Sequence, residues 1–272
     1  MTRQLHRYPI IIGGFYRSGT SLLRRLLDSH HNIYCGPEVK FFRDFYGNYL
    51  KDDLAHLRLF SSIRTIGLDD RTLLKVFGKA FIKCHELAAK RSGKSRWADK
   101  NPENVLYLDQ WHTLLDGDFI FINVIRNPLD ALASLNEAGF KKTIPEIFAQ
   151  KVALYNAYLD NAFSFIDNHP DISFTLRYEN LVMNPRETLS TLLSYLGESY
   201  DEAMLREFFG HHRKPGLEDP KVAKTRSIHP NSIDRWTKDL SEEQISECRE
   251  HLGPWIANLE YKEDNNSGND PT

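Results

Sequence analysis

A short β-branched run that ends at two glycines and passes straight into an amphipathic helix constrains this chain more than any other feature. Ile10-Ile11-Ile12 closes at Gly13-Gly14, and Tyr8 to Gly13 reads as one buried strand. In the helix that follows, Leu22, Leu23, Leu26 and Leu27 share one face, with Arg24, Arg25 and Asp28 on the other. The junction reads Gly14-Phe15-Tyr16-Arg17-Ser18-Gly19-Thr20-Ser21. A glycine-bearing loop between a buried strand and a helix aims backbone N–H groups and the positive helix end at an anion.

The rest of the chain repeats the alternation. Ile33-Tyr34-Cys35, Arg96-Trp97-Ala98, Phe119 to Ile125 and Ile172 to Leu176 read as strands. Phe119 to Ile125 is nearly all apolar, as suits a central parallel strand covered on both faces. Asn101-Pro102, Asn127-Pro128 and Asn184-Pro185 each place a capping Asn before a Pro at a first helical position. From Phe41 to Arg91 the pattern is helical, with Leu73, Leu74, Phe77, Phe81, Cys84 and Leu87 as its apolar stripe. Pro145 to Asn168 reads as one long helix, and Ser241-Glu242-Glu243-Gln244 as a capping box. Strands alternating with helices give a layered α/β fold with a central parallel sheet flanked by helices, and the glycine-bearing loop after the first strand makes it a three-layer fold of P-loop type. The expectation is one domain over 1–262, containing a helical region about 41–91, and a disordered polar tail over 263–272.

Composition then excludes several classes. Among 272 residues, 35 Lys and Arg stand against 37 Asp and Glu, for a net charge of −2. That balance argues against a nucleic-acid binder with a broad basic surface, though not against one basic pocket. Hydrophobic residues make up 41%, too many for a disordered chain. Cys35, Cys84 and Cys248 form neither a disulfide framework nor a zinc-ligand spacing. Neither His30-His31 nor His211-His212 has helical metal-site spacing. No apolar run approaches the ~18 residues of a membrane span, and no signal peptide is read, so a cytoplasmic location is expected. Trp97, Trp111, Trp236 and Trp255 are expected in the core.

The loop matches the triphosphate-binding pattern G-x-x-x-x-G-K-[ST] except at Thr20, where the lysine belongs. The apolar strand that would carry a magnesium-holding Asp ends instead in Val124-Ile125-Arg126. Arg126 cannot ligate a metal but can clamp a phosphate with two hydrogen bonds. The two departures agree: an anion is bound, and no metal is expected. The plainer reading of the loop is a strand–helix turn with packing glycines.

These residues resemble a known family. Phe15 to Leu23 resembles the 5′-phosphosulfate-binding loop of sulfotransferases that use 3′-phosphoadenosine 5′-phosphosulfate (PAPS). Val124-Ile125-Arg126-Asn127-Pro128, followed by Ser134, resembles their 3′-phosphate-binding segment. The pair, about a hundred residues apart, is far more specific than either motif alone. The likeness is greatest to tyrosylprotein sulfotransferases and their bacterial relatives. Cys35-Gly36-Pro37-Glu38 resembles the stretch bearing their catalytic glutamate, and Asp99-Lys100-Asn101-Pro102 the one bearing their catalytic lysine. Arg177-Tyr178-Glu179-Asn180-Leu181-Val182 resembles the segment whose Tyr lies by the nucleotide.

The resemblance implies an in-line, metal-independent sulfuryl transfer from PAPS to an acceptor hydroxyl on a peptide tyrosine, a sugar or a small metabolite, with the helical region about 41–91 expected on the acceptor side. It assigns Glu38 as general base, with Lys100 and Arg17 stabilising charge on the transferred group and leaving oxygen. It places Arg17, Ser18, Gly19, Thr20, Ser21, Arg126, Ser134, Tyr178 and Ser227 around the PAPS cosubstrate. The segment Arg213 to Arg226 holds five basic residues against Glu218 and Asp219, either a solvated face or a lid over this polyanion. Some features depart from the family pattern. No membrane anchor is read, a further basic position falls at Ala138, Glu38 follows a proline, and Arg213 to Trp236 aligns only loosely. The competing readings are a P-loop small-molecule kinase and a non-catalytic nucleotide-binding protein. No nucleic-acid partner is expected, and a homodimer is left open.

Overall fold

The computed structural model describes residues 7–47, 62–138, 144–209 and 226–261. Five parallel strands form one sheet: β1 (Ile10–Gly13), β2 (Ile33–Cys35), β3 (Arg96–Lys100), β4 (Ile120–Ile125) and β5 (Ser173–Arg177). Their spatial order is β2-β3-β1-β4-β5. β1 pairs with β3 on one side, Ile10 opposite Ala98, and with β4 on the other, Gly13 opposite Asn123. The chain leaves β1 toward one edge and leaves β4 toward the other. The carboxyl ends of β1 and β4 therefore flank the topological switch point, where open α/β sheets bind ligands.

Side chains alternate across a strand, and this alternation builds two cores. Ile10 and Ile12, with Ile120, Ile122 and Val124, face α1 (Thr20–Asp28) and the later helices α7 (Tyr178–Met183) and α8 (Pro185–Leu196). Ile11 and Phe121 face the opposite layer. That layer contains α2 (Phe41–Tyr46), α3 (Asp70–Arg91), α4 (Leu108–Leu114), α5 (Pro128–Ala138), α6 (Phe148–Asn168) and α11 (Glu242–Asn258). Two short helices, α9 (Ala203–Glu207) and α10 (Trp236–Asp239), complete the described elements. The central sheet with helices on both faces agrees with the fold class expected from the sequence.

Several local expectations need correction. α3 does not bury the whole stripe read from its large apolar residues: Cys84 is exposed and Leu87 is 44% exposed. The helix buries Leu73, Leu74, Gly78, His85 and Ala89. Gly78 lets the backbone approach Leu114, whose side chain lies 2.3 Å from where a Cβ would sit. His85 stacks on Trp97 at 4.8 Å. A seam made of a glycine and a stacked histidine has no hydrophobic signature, so periodicity reads the helix rotated.

Asn101 and Asn127 cap as expected, accepting from the N–H of Glu103 at 3.2 Å and of Leu129 at 3.0 Å. The turn after Asn101, Pro102–Leu106, is a 3-10 helix rather than an α-helix, and Asn184 makes no side-chain cap. The long helix starts at Phe148, not Pro145. The capping box at Ser241 is complete, with Gln244 reciprocating. Trp97, Trp111 and Trp236 are buried, and Trp255 is partly buried against Phe163. Among the described residues no helix is long and apolar enough to cross a membrane. The expected tail 263–272 and residues 213–225 of the basic loop lie outside the described residues.

Candidate functional site

The loop between β1 and α1 is shaped by its backbone. Gly14 has φ 141°, and a Cβ there would sit 2.2 Å from the carbonyl oxygen of Val124 on β4. Gly19, at the N-cap of α1, has φ 95°, and a Cβ there would meet the Tyr178 ring at 2.4 Å. Only glycine fits such a conformation at such close approach. Arg17 is also in the left-handed region, with φ 67°. Non-glycine residues adopt that conformation when their surroundings enforce it, often at functional sites. Here Arg17 donates from Nε to the Ser134 hydroxyl at 3.0 Å. The expected 5′ loop and the expected 3′ segment are thus joined directly.

Arg126 completes this junction from the end of β4. Its Nη1 donates to the Arg17 carbonyl at 2.9 Å, its Nη2 donates to the Ser232 carbonyl, and its guanidinium lies 4.6 Å from the Tyr178 ring centroid. Burial pushes its pKa down from the usual arginine value, with Tyr178, Asp130 and Glu179 opposing. Its Nε is buried with no hydrogen-bond partner. An unpaired N–H on a buried cation is costly unless an acceptor arrives. The Tyr178 ring packs between Gly19 and Arg126 and is 9% exposed. Ser18, Thr20 and Ser21 are buried within the same loop and first turn. α1 has no side-chain cap and no acid in its first turn, which leaves its positive end available for an anion.

The second half of the site lies beside this loop. Lys100 ends β3 on the α1 side of the sheet and is 1% exposed. Its ammonium donates to Glu38 and, at 2.9 Å, to the Ser21 hydroxyl. Glu38 follows β2 and keeps 22% of its side chain exposed. Residues remote in sequence therefore converge in two chains of contacts that meet in the same loop: Glu38 to Lys100 to Ser21, and Arg17 to Ser134 and Arg126. Ser227 stands apart. It is exposed, and the late segment reaches Arg126 through the Ser232 carbonyl instead. Of the expected basic lid, Arg226 is described and is exposed.

Three carboxylates at the site escaped the sequence reading. Asp130 accepts from the N–H groups of Asp234 at 3.0 Å and Trp236 at 3.1 Å, docking the late segment onto α5. Glu179 accepts from the Asn127 N–H at 2.9 Å, just after Arg126. Glu103 is 1% exposed and pairs with Arg43 and Lys40. Their partners are far away in sequence, so no local pattern marks them; Glu103 alone gives a hint, as an acid beside the Asp99-Lys100-Asn101-Pro102 motif.

An uncapped helix end and buried cations at the switch point of a P-loop-type fold, with a carboxylate–lysine pair beside them, suit a group-transfer enzyme. The comparisons name the group transferred: a model of the sulfotransferase family matches residues 9–202, and this chain belongs to that family. Protein-tyrosine sulfotransferase 2 of Gallus gallus is 22% identical over 271 residues, covering 93% of this chain and 69% of that protein. Nodulation protein NoeE of Sinorhizobium fredii is 25% identical over 283 residues, covering 93% and 66%. Among solved structures, the sulfotransferase domain of the Synechococcus PCC 7002 olefin synthase superposes with a TM-score of 0.63 at 19% identity, covering 92% of this chain and 97% of the other. Mouse sulfotransferase SULT7A1, complexed with PAP, gives 0.52 at 13% identity, covering 93% and 85%. These two structures share the fold.

Proposed function

We propose that this sulfotransferase moves a sulfuryl group from PAPS to an acceptor hydroxyl, with Glu38 as general base. Lys100 carries the reading, because one buried ammonium touches both the candidate base and the first turn of the candidate donor loop. The site fits a doubly phosphorylated nucleotide. The unpaired Nε of Arg126 suits the 3′-phosphate, with Ser134 beside it. The uncapped end of α1, with Arg17 and Lys100, suits the 5′ group. PAP in the SULT7A1 structure is consistent with this choice of donor.

Glu38 takes the acceptor proton as the acceptor oxygen forms its bond to sulfur. The bond from sulfur to the bridging oxygen breaks, and its electron pair stays on the nucleotide 5′-phosphate. Lys100 and Arg17 meet that charge with fixed cations in a largely buried site. A cation at the end of β4, where triphosphatases hold magnesium with a carboxylate, supports transfer without a metal. The acceptor class is read only as hydroxyl-bearing, in keeping with tyrosine sulfotransferases among the relatives.

Titration with 3′-phosphoadenosine 5′-phosphate and with ATP, each in EDTA and in magnesium, tests the reading. Tight, metal-independent binding of the first alone is expected. Magnesium-dependent ATP binding without a response to the first would point to a kinase instead. Nucleotide binding with no transfer to any member of a phenol, sugar and alcohol panel would favour a non-catalytic role.

A further inference from the structure

Glu103 bonds to residues that neighbour both halves of the site. It sits in the 3-10 turn just after Lys100, and at 1% exposure its charge must be paired. The Tyr16 hydroxyl and, at 3.2 Å, the Lys40 ammonium donate to its Oε1; Arg43 Nε donates to Oε2 at 2.5 Å. Tyr16 is the neighbour of Arg17 in the candidate donor loop. Lys40 and Arg43 follow Glu38 and flank the start of α2. One buried carboxylate therefore bolts together the three segments that carry Arg17, Glu38 and Lys100.

The chemistry of each partner suits a fixed joint. Burial, with Tyr158 and Glu103 adding to it, pushes the Tyr16 pKa well above its ordinary value, so its hydroxyl stays a donor. Burial is the largest single influence on Arg43 and works against its charge, but the hydrogen bond and charge of Glu103, with Tyr16 and Tyr158, together outweigh it and the pKa rises. The Tyr16 ring is held in turn by Phe15 and Tyr158, each with a centroid 5.9 Å away.

We propose that Glu103 is a positioning residue that couples the donor loop to the base-bearing segment 36–47. The coupling rests on the reading of Glu38 as base and of the Gly14–Ser21 loop as the donor site. Ligand that quiets the loop should quiet segment 36–47 through Tyr16, Glu103 and Arg43, and energetic coupling of this kind is reciprocal. Glu38 would then be held at its working distance from Lys100 when donor is bound.

Hydrogen exchange of the full chain, with and without saturating 3′-phosphoadenosine 5′-phosphate, tests this. In the unmodified protein, nucleotide should slow exchange in both 14–21 and 36–47. Tyr16→Phe keeps the ring and removes the hydroxyl, with its bond to Glu103 and its hydrogen bond with Tyr158; Glu103→Gln removes the charge. Both should still bind nucleotide to within a few-fold and protect 14–21, yet lose the protection of 36–47. Should Glu103→Gln fail to fold, Tyr16→Phe decides alone. Protection of 36–47 that persists in Tyr16→Phe, or that never appears in the unmodified chain with nucleotide bound, overturns the coupling. Failure of the unmodified chain to bind nucleotide overturns the functional reading, and the coupling with it.

Discussion

The Gly14–Ser21 loop and the Glu38 segment meet at one site, but different forces hold them. The loop is fixed by main chain: two glycines at positive φ lie against a carbonyl and a ring, and Arg126 grips the carbonyls of Arg17 and Ser232. The Glu38 segment is fixed by side-chain charge, through Lys100 and the buried Glu103 cluster. The loop's shape is set sterically by its glycines, with the Arg126, Arg17 and Tyr16 side chains tying it to its surroundings. A charge network depends on every member, since removing one strands the others in a low-dielectric interior. Binding should therefore follow the loop, and turnover the charged segment.

The sharpest separation is expected from Glu38→Gln. Loss of a general base should slow transfer by roughly 10²–10⁴-fold while changing nucleotide affinity far less. A turnover assay beside a titration reads both, and normal turnover would remove Glu38 from the mechanism. Arg126→Ala should do the reverse first, weakening nucleotide binding by about 2–5 kcal/mol, as for truncation of a buried hydrogen-bonded charge. An affinity close to the parent's would mean the guanidinium serves only to brace Arg17 and Ser232.

Gly19→Ala should destabilise the fold by about 2–4 kcal/mol, combining left-handed strain with overlap of the Tyr178 ring. Gly67 offers the control. It has φ 88° but open space around it, so Gly67→Ala should cost only about 1 kcal/mol. Thermal unfolding compares the two, and equal losses would show that strain alone, not the ring, disciplines the loop. The smallest effect should come from Ser134→Ala, about 0.5–1.5 kcal/mol of nucleotide binding for one hydrogen-bonding group. If it approaches the loss in Arg126→Ala, the Arg17–Ser134 bond organises the loop rather than adding to it.

This division also explains what the sequence disclosed. The sheet, the loop and Arg126 were legible because their signals are local: β-branched runs, glycines at a junction, a cation where an acid is usual. The rotated face of α3 was hidden because Gly78 and His85 do the packing that large apolar residues usually do. Asp130, Glu179 and Glu103 were hidden because a buried acid is recognised by its partners, and theirs lie on other elements. Asn184 carries the letters of a cap without its hydrogen bond, since its own backbone sits at φ −130°, ψ 61°. Pattern reports what neighbours in the chain agree upon; it is silent on agreements made across the fold.

The pairing of Gly13 with Asn123 has a consequence for how such a site can change. The loop springs from one of these strands and Arg126 from the other, and adjacent strands stand about 4.8 Å apart. The sheet is thus a gauge: its register sets the interval between the two anion grips, as the jaws of a caliper are set by its beam. A slip of one residue would carry Arg126 about 3.3 Å along the strand and turn it to the opposite face. Fitting a donor with differently spaced charges would require re-registering the core.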